Sequence, residues 1–390
     1  MATIKEFKAF LPEVNWFNRL LSGDGTELFA LRYKLEIRGK KDIESGCVDK
    51  VEEVLSVLIN NRRFDYQQNP AIYVYQQETL GKISSGICAM TAVKDYLHGE
   101  ILGHEHTLQE HEERLLSYRL NIGMEGAPVL LTYQPLTGID EIISSITLKS
   151  PSFAYQEGEI AHRLWRISED AMIQHLKDVF QEIQIAYVGD GHHRLAAAAK
   201  MQGAENEYML GLYVSTDQLS VSGFDRLIFP GQEIIQSDFF EFLEKLFFVS
   251  AIPGNVCYQP DRLHRIGLCY HGIWYQLDLK DFTNNVLDLP DVVILQEMIL
   301  SPVFGITDPR TDERLFCYPN QDISEMLEDA SCSSEAIIFT LYPIGVDQLI
   351  DCAQQSKALP PKSSFIEPKV PYGLLMNPGA LLKQFKISGL

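Results

Sequence analysis

The chain is short of every feature that would place it outside a reducing compartment or in a membrane. Its seven cysteines, Cys47, Cys88, Cys257, Cys269, Cys317, Cys332 and Cys352, are scattered and odd in number, and none forms a C-x-x-C. That argues against a disulfide framework and a cysteine zinc site, and fits reduced, buried thiols. No apolar run reaches the length of a membrane span, and the opening Met1-Ala2-Thr3-Ile4-Lys5-Glu6-Phe7-Lys8 lacks the long apolar region of a signal peptide. The expectation is a cytoplasmic protein with no membrane partner. Positive charge is also scarce: 33 basic residues face 53 acidic ones, a net charge of −20. Basic groups are as short as Arg38-Gly39-Lys40-Lys41 or Asn61-Arg62-Arg63. Duplex binding draws most of its affinity from neutralised phosphates, so DNA is not an expected partner. Walker A, G-x-G-x-x-G, G-x-S-x-G, H-E-x-x-H and protein-kinase catalytic-loop motifs are missing as well. There is no internal repeat and no low-complexity tract.

What is present is a large globular composition. The 390 residues are 46% apolar, enough for a sizeable core and for two or three domains. Apolar periodicity predicts a helix from Val48 to Ile59, strands at Ala71–Tyr75 and Lys82–Val93, and a charged helix from Leu108 to Arg119. A strand at Pro128–Tyr133, a helix at Ile139–Ile146 and an extended Leu164–Ile167 follow. Ser168-Glu169-Asp170 then reads as the cap of a helix through Phe180. Strands are expected at Ile183–Val188, Glu207–Val214 and Gly223–Ile228, and a helix from Ser237-Asp238 through Phe247. Short strands fill 250–285. Helices are expected at Leu289–Leu300 and Val346–Gln354, a strand within Ser334–Leu341, and a Pro- and Lys-bearing loop from Ala358. Strands and helices are interspersed, yet strand pairs also follow one another directly. The pattern predicts an α+β fold with a mixed sheet core and flanking helices.

The densest chemistry lies at Ala186-Tyr187-Val188-Gly189-Asp190-Gly191-His192-His193-Arg194-Leu195. An apolar strand runs into Gly-Asp-Gly, then two histidines and an arginine, then the helix-forming Leu195-Ala196-Ala197-Ala198-Ala199-Lys200. Unpaired N–H groups at a helix start favour an anion. Arg194 adds a planar fork suited to phosphate or carboxylate, and the glycines allow close approach or positive φ. Asp190, Gly191, His192 and Arg194 are therefore candidate phosphate-binding residues, and His192 and His193 candidate catalytic groups. The plainer alternative is a strand–helix corner with Asp190 as N-cap and Arg194 as a surface charge.

Three further segments carry polar groups. His104-Glu105-His106-Thr107 offers Glu105 as a general base and a His104/His106 pair with metal-ligand character. Thr107 with Glu110 also reads as a capping box. Asp308-Pro309-Arg310-Thr311-Asp312-Glu313-Arg314 is either a solvated turn with local ion pairs or a loop bringing Arg310 to an anion and an aspartate to a cation. Pro360-Pro361-Lys362-Ser363-Ser364-Phe365-Ile366-Glu367-Pro368-Lys369 is either a flexible tail or a packed loop holding Lys362 or Lys369 over a pocket.

The segment Tyr187–Leu195 resembles the D-G-H-H-R signature of a bacterial and archaeal family known as domain of unknown function 1015. The resemblance continues in Tyr73-Val74-Tyr75, His104–Thr107, Arg163-Leu164-Trp165, Asp308–Asp312, Leu341-Tyr342-Pro343 and Pro360–Lys369, in the family's order. The family's early Pro-Pro-Tyr-Asp element is absent, and His106 stands where lysine is common. The chain accordingly divides into a divergent 1–70, an α+β core at 71–230 with the H-E-H-T and D-G-H-H-R motifs, and a C-terminal α+β region at 231–390. The D-G-H-H-R corner is in turn similar to that of the ParB/sulfiredoxin-like superfamily, which includes free serine kinases. This second resemblance implies a ParB/sulfiredoxin-like element around the corner and ATP or ADP with Mg²⁺ as cofactors. It implies a nucleotide-dependent phosphotransferase acting on a small hydroxylated metabolite, such as the free amino acid serine. Asp190 to Arg194 would hold phosphates, Asp190 would meet Mg²⁺, Arg310 and Lys362 would add positive charge, and Glu105 would be the base. The rival expectations are a nucleotide-binding regulatory or partition-like protein without turnover, and a histidine-ligated metal hydrolase.

Overall fold

The computed structural model describes residues 1–14, 17, 57, 60–105, 107, 109–121, 124–201, 207–231, 234–280 and 289–377. The helix expected from Val48 to Ile59 falls almost wholly outside these residues, as do Cys47 and His106. The chain forms two compact units: residues 1–103, 107–219 and 368–390, and residues 104–106 with 220–367. The expected divisions after 70 and after 230 fall inside these units.

The first unit contains β1 (Ile4–Lys5), β2 (Phe10–Pro12), β3 (Phe64–Tyr66), β4 (Ile72–Thr79), β5 (Lys82–Ala92), β6 (Ile101–Leu102), β7 (Val129–Tyr133), β8 (Phe153–Glu157), β9 (Ile160–Ile167), β10 (Ala186–Asp190) and β11 (Tyr208–Ser215). Its helices are α1 (Val93–Leu97), α2 (Gln109–Asn121), α3 (Thr137–Thr147), α4 (Asp170–Phe180) and α5 (His192–Ala199). One mixed sheet runs β6-β10-β7-β11-β5-β4-β9-β8, with β1 also on β5. The β10–β6 and β11–β7 pairs are parallel, and the other pairs of the sheet are antiparallel. Helix α3 buries Ile139, Ile142, Ile143 and Ile146, the i, i+3, i+4, i+7 set of one face, and α4 buries Ile173, Leu176, Val179 and Phe180. These join Val74, Ile87, Leu131 and Val188 of the sheet in one core, where each large apolar side chain contributes about 1.5–3 kcal/mol. The α+β fold with a mixed sheet and flanking helices is the one expected.

The second unit contains β12 (Ser220–Ser222), β13 (Phe224–Ile228), β14 (Phe247–Ala251), β15 (Arg265–Tyr270), β16 (Ile273–Leu279), β17 (Leu315–Pro319), β18 (Ile337–Leu341) and β19 (Phe365–Glu367). Its helices are α6 (Gln236–Leu246), α7 (Asp291–Leu295) continuing through a π turn (Gln296–Leu300) into α8 (Ser301–Phe304), α9 (Ile323–Ala330) and α10 (Val346–Gln354). An antiparallel sheet, β14-β16-β15-β18-β13-β17, carries apolar side chains on both faces, with Phe239, Leu268 and Phe339 in one cluster and Leu227, Trp274 and Met326 in another. Two expectations need correction. Helix α6 stops at Leu246, because Phe247 is extended and starts β14 against Leu279. The tail from Ala358 is not all loop: Phe365–Glu367 pairs antiparallel with β12.

Candidate functional site

Strand β10 ends at a corner that its sequence builds. Between Val188 and Asp190 the pairing with β7 shifts, leaving Gly189 in a bulge where a Cβ would lie 3.0 Å from Leu130 Cδ2. Gly191 then adopts a left-handed conformation, φ 96°, as the N-cap of α5, with no side-chain cap. The first intrahelical bond runs from Leu195 N to the Gly191 carbonyl, at 3.0 Å. The backbone N–H groups of His192, His193 and Arg194 lie in the first turn, ahead of that bond. Asp190 is not the N-cap. Its carboxylate Oδ2 accepts from Arg194 Nη2 at 2.9 Å, and its side chain is 46% exposed.

Arg194 folds back over Gly191. Its Nη1 donates to the carbonyls of Ala127 (2.7 Å) and Pro128 (2.9 Å), the segment that leads into β7. Three of its five N–H groups are thus committed inside the unit, and its charge is balanced by Asp190. The guanidinium ties the corner together, a role the expectation of a phosphate clamp did not include.

The histidines differ. His192 is buried, and its ring lies 3.1 Å from where a Cβ on Gly103 would stand. His193 is half-buried, its ring centroid 5.2 Å from that of His111 on α2. Next to His111, the Glu112 carboxylate is 9% exposed and accepts from Lys200 and from Thr107 Oγ1. Burial pushes Glu112 upward, but the hydrogen bonds and charge of Lys200, the Thr107 hydroxyl and nearby His193 outweigh it, and the carboxyl lies below its ordinary value. Thr107 donates to Glu112; the Glu110 side chain, the other half of the expected capping box, lies outside the described residues. His111, Glu112 and Lys200 were passed over because a carboxylate inside a charged helix carries no mark of burial.

The other candidates belong to the second unit. Glu105 forms an isolated parallel bridge with Leu359, whose N–H donates to the His104 carbonyl at 2.9 Å. Burial pulls the His104 imidazole down to about 4, so it is neutral at physiological pH. Arg310 grips its own turn: Nε and Nη2 hold the two oxygens of Asp308 at 2.7 and 2.8 Å. Those bonds draw Asp308 down to about 2. Arg314 repeats the pattern on Asp312, so the segment is the turn with local ion pairs that was one of its two readings. Lys362 is exposed at φ 55°, with its ammonium 5.6 Å from the centroid of the Phe224 ring. Its carbonyl accepts from the buried Arg226, which also holds the Phe224 and Pro361 carbonyls. Beside it, the buried Asp225 carboxylate accepts from Asn320 (2.7 Å), Leu341 N (2.9 Å) and Gln259 (3.0 Å). An Asp-Arg pair inside an apolar strand was the available signal for this network. Among the described residues, no group of three His, Cys, Asp or Glu side chains could hold a metal ion. No described helix is long and apolar enough to cross a membrane.

A family model described as "Protein of unknown function (DUF1015)" matches residues 24–297. The chain belongs to this family. DUF1015 carries no activity in its description, and no curated protein matches the chain. Among solved structures, this DUF1015 member is similar to SbnI with a C-terminal truncation from Staphylococcus aureus, at 10% identity and a TM-score of 0.43, over 77% of this chain and 91% of that one. It is similar to a mutant free serine kinase in complex with ADP, at 10% identity and a TM-score of 0.40, over 74% and 92%. A conserved hypothetical protein from Pyrococcus furiosus is similar at 11% identity and a TM-score of 0.37, over 74% and 91%.

Proposed function

We propose that the Gly191 corner binds the phosphates of ATP or ADP and that the protein is a nucleotide-dependent phosphotransferase acting on a small hydroxylated metabolite, such as the free amino acid serine. The observation that carries this reading is the start of α5: a left-handed Gly191 with no side-chain cap bond turns β10 into the helix, so that the positive end of the helix dipole lies at the corner that Asp190 and Arg194 occupy. Asp190 narrows the ligand. A carboxylate beside a phosphate site repels a bare anion, whereas one half-exposed carboxylate oxygen suits a divalent cation that a polyphosphate brings with it. Bound Mg²⁺ would supply neutralisation of phosphate charge. The N–H groups of His192 to Arg194 hold phosphate oxygens, and His193 carries the imidazole on the more open side of the pair. Arg194 keeps the corner closed and gives its uncommitted Nε–H to the same charge. Glu105 is the proposed base for the acceptor hydroxyl, with Lys362 as a further cation. Arg310, occupied by Asp308, enters no step.

The test is titration calorimetry with ATP and with ADP in the presence of Mg²⁺, followed by incubation with a pool of amino acids and ³¹P detection of phosphorylated product. The expected result is nucleotide binding and one phosphorylated acceptor, with Glu105→Gln abolishing transfer but not binding. No nucleotide binding overturns the proposal. Binding without a phosphorylated acceptor overturns its transferase half and favours a nucleotide-binding regulator.

A further inference from the structure

One guanidinium in the second unit holds both halves of a charge–ring contact. Arg226 lies on β13 and is buried, at 2% exposure. Its Nη1 donates to the Phe224 carbonyl at 3.1 Å and, more weakly, to that of Asp225 at 3.4 Å. Its Nη2 donates to the carbonyls of Pro361 at 3.2 Å and Lys362 at 2.8 Å. Phe224 carries the ring that the Lys362 ammonium approaches to 5.6 Å, within cation–π range. The same side chain therefore fixes the backbone of the lysine and the backbone of its aromatic platform. The ring is steadied by Phe365, the two centroids 6.0 Å apart.

The loop is already tied at both ends without this clamp. At its start Leu359 N donates to the His104 carbonyl at 2.9 Å, and at its end Phe365–Glu367 pairs with β12. Burying an arginine on bare carbonyls carries a desolvation cost, and the adjacent Asp225 carboxylate is engaged by Asn320, Leu341 N and Gln259. What the clamp adds is the conformation at Lys362. Its φ of 55° lies in the left-handed region, where glycine is the residue of least strain. A lysine there keeps a backbone strain that glycine would remove, which points to its side chain as the reason for the residue. That side chain is exposed, and its ammonium makes no hydrogen bond or ion pair among the described residues. Its N–H donors are open to an anion.

We propose that Arg226 is a positioning residue that presents the Lys362 ammonium to an anionic group of a substrate, the acceptor's carboxylate or the nucleotide's phosphates. This rests on the phosphotransferase reading, in which Lys362 is a further cation. The test has two readouts on the full-length protein. The first is the NMR resonance of the Lys362 ε-methylene, which the nearby Phe224 ring displaces from the position of a solvated lysine. Arg226→Lys keeps the charge but not the planar fork, and is expected to return the resonance to that position. The second is steady-state transfer. Lys362→Gly keeps the left-handed backbone and removes the ammonium; it should raise one KM about tenfold or more with kcat within about twofold. Arg226→Lys should raise the same KM, and the double variant should add nothing further, because the arginine acts through the lysine. A raised acceptor KM assigns the carboxylate, and a raised nucleotide KM the phosphates. Lys362→Gly, at an exposed position, keeps the fold if Arg226→Lys does not, and then decides alone. An unmoved resonance in Arg226→Lys, unchanged KM values in Lys362→Gly, or additive losses in the double variant overturn the proposal. If the wild type transfers nothing, the phosphotransferase reading fails by itself, and the resonance with calorimetric affinities for ADP and serine in place of KM decides this one.

Discussion

At Gly191 the backbone takes φ 96°, and a Cβ there would sit 2.9 Å from Arg194 Nη2. Gly191→Ala should therefore cost about 1–3 kcal/mol in urea unfolding, from the left-handed backbone and the displaced guanidinium, and should weaken nucleotide binding in parallel. Glu112 is the second residue with a clear consequence. Its folded carboxyl lies below the ordinary value, so the unfolded chain binds the proton first as pH falls. Its stabilisation is full above the ordinary carboxylate range and lost as pH drops through the lowered folded value. Glu112→Gln should cost about 1–2 kcal/mol near neutrality, and the gap to wild type should close in acid; unfolding curves across pH check this. The corner's residue types were legible because Gly-Asp-Gly-His-His-Arg interrupts an apolar strand and an alanine run. The use of Arg194 was not, since its acceptors are bare carbonyls 66 and 67 residues earlier, with no side-chain signature.

The long periodic elements were legible one by one. The isoleucine stripe of α3 and the apolar face of α4 read as helices before any packing is known, and α10 matches its expected span, Val346–Gln354. Ends and caps were harder, because they depend on tertiary partners: Phe247 leaves α6 to pair with Leu279, and β19 forms because β12 offers an edge. Strand β9 carries a histidine whose role no periodicity announces. His162 is buried, stacked 4.5 Å from Tyr155, with Nδ1 2.8 Å from the Tyr75 hydroxyl on β4. Burial pulls it down to about 4. The unfolded chain is protonated first, near 6.5, so stability is full above that pH and falls as pH approaches about 4. His162→Phe should keep the stacking, lose about 1 kcal/mol at neutral pH with the hydrogen bond, and flatten the acid limb by on the order of 3 kcal/mol. Denaturation midpoints at several pH values between those limits decide it; an unchanged limb would remove His162 from the account.

For the molecule as a whole, fold class and family were readable, because composition, strand–helix alternation and a chain-long series of motifs all bear on them. The units were a harder matter: the first collects residues 1–103, 107–219 and 368–390, and no local shift in composition marks such a discontinuous unit. The net charge of −20 bears on function here. An anionic nucleotide must approach against the overall field, so binding requires local donors, and added salt should weaken it little or even assist it. Titrations at low and high salt test this; a steep loss of affinity with salt would point to a general basic surface instead. The central claim is that the backbone at the start of α5 receives phosphates. Its most direct measurement is the amide NMR spectrum of the full chain as ADP and Mg²⁺ are added. The account predicts that the resonances of Gly191 to Leu195 move first and furthest, and that Gly191→Ala suppresses the change. Shifts confined to other segments, or none at saturating nucleotide, would contradict it.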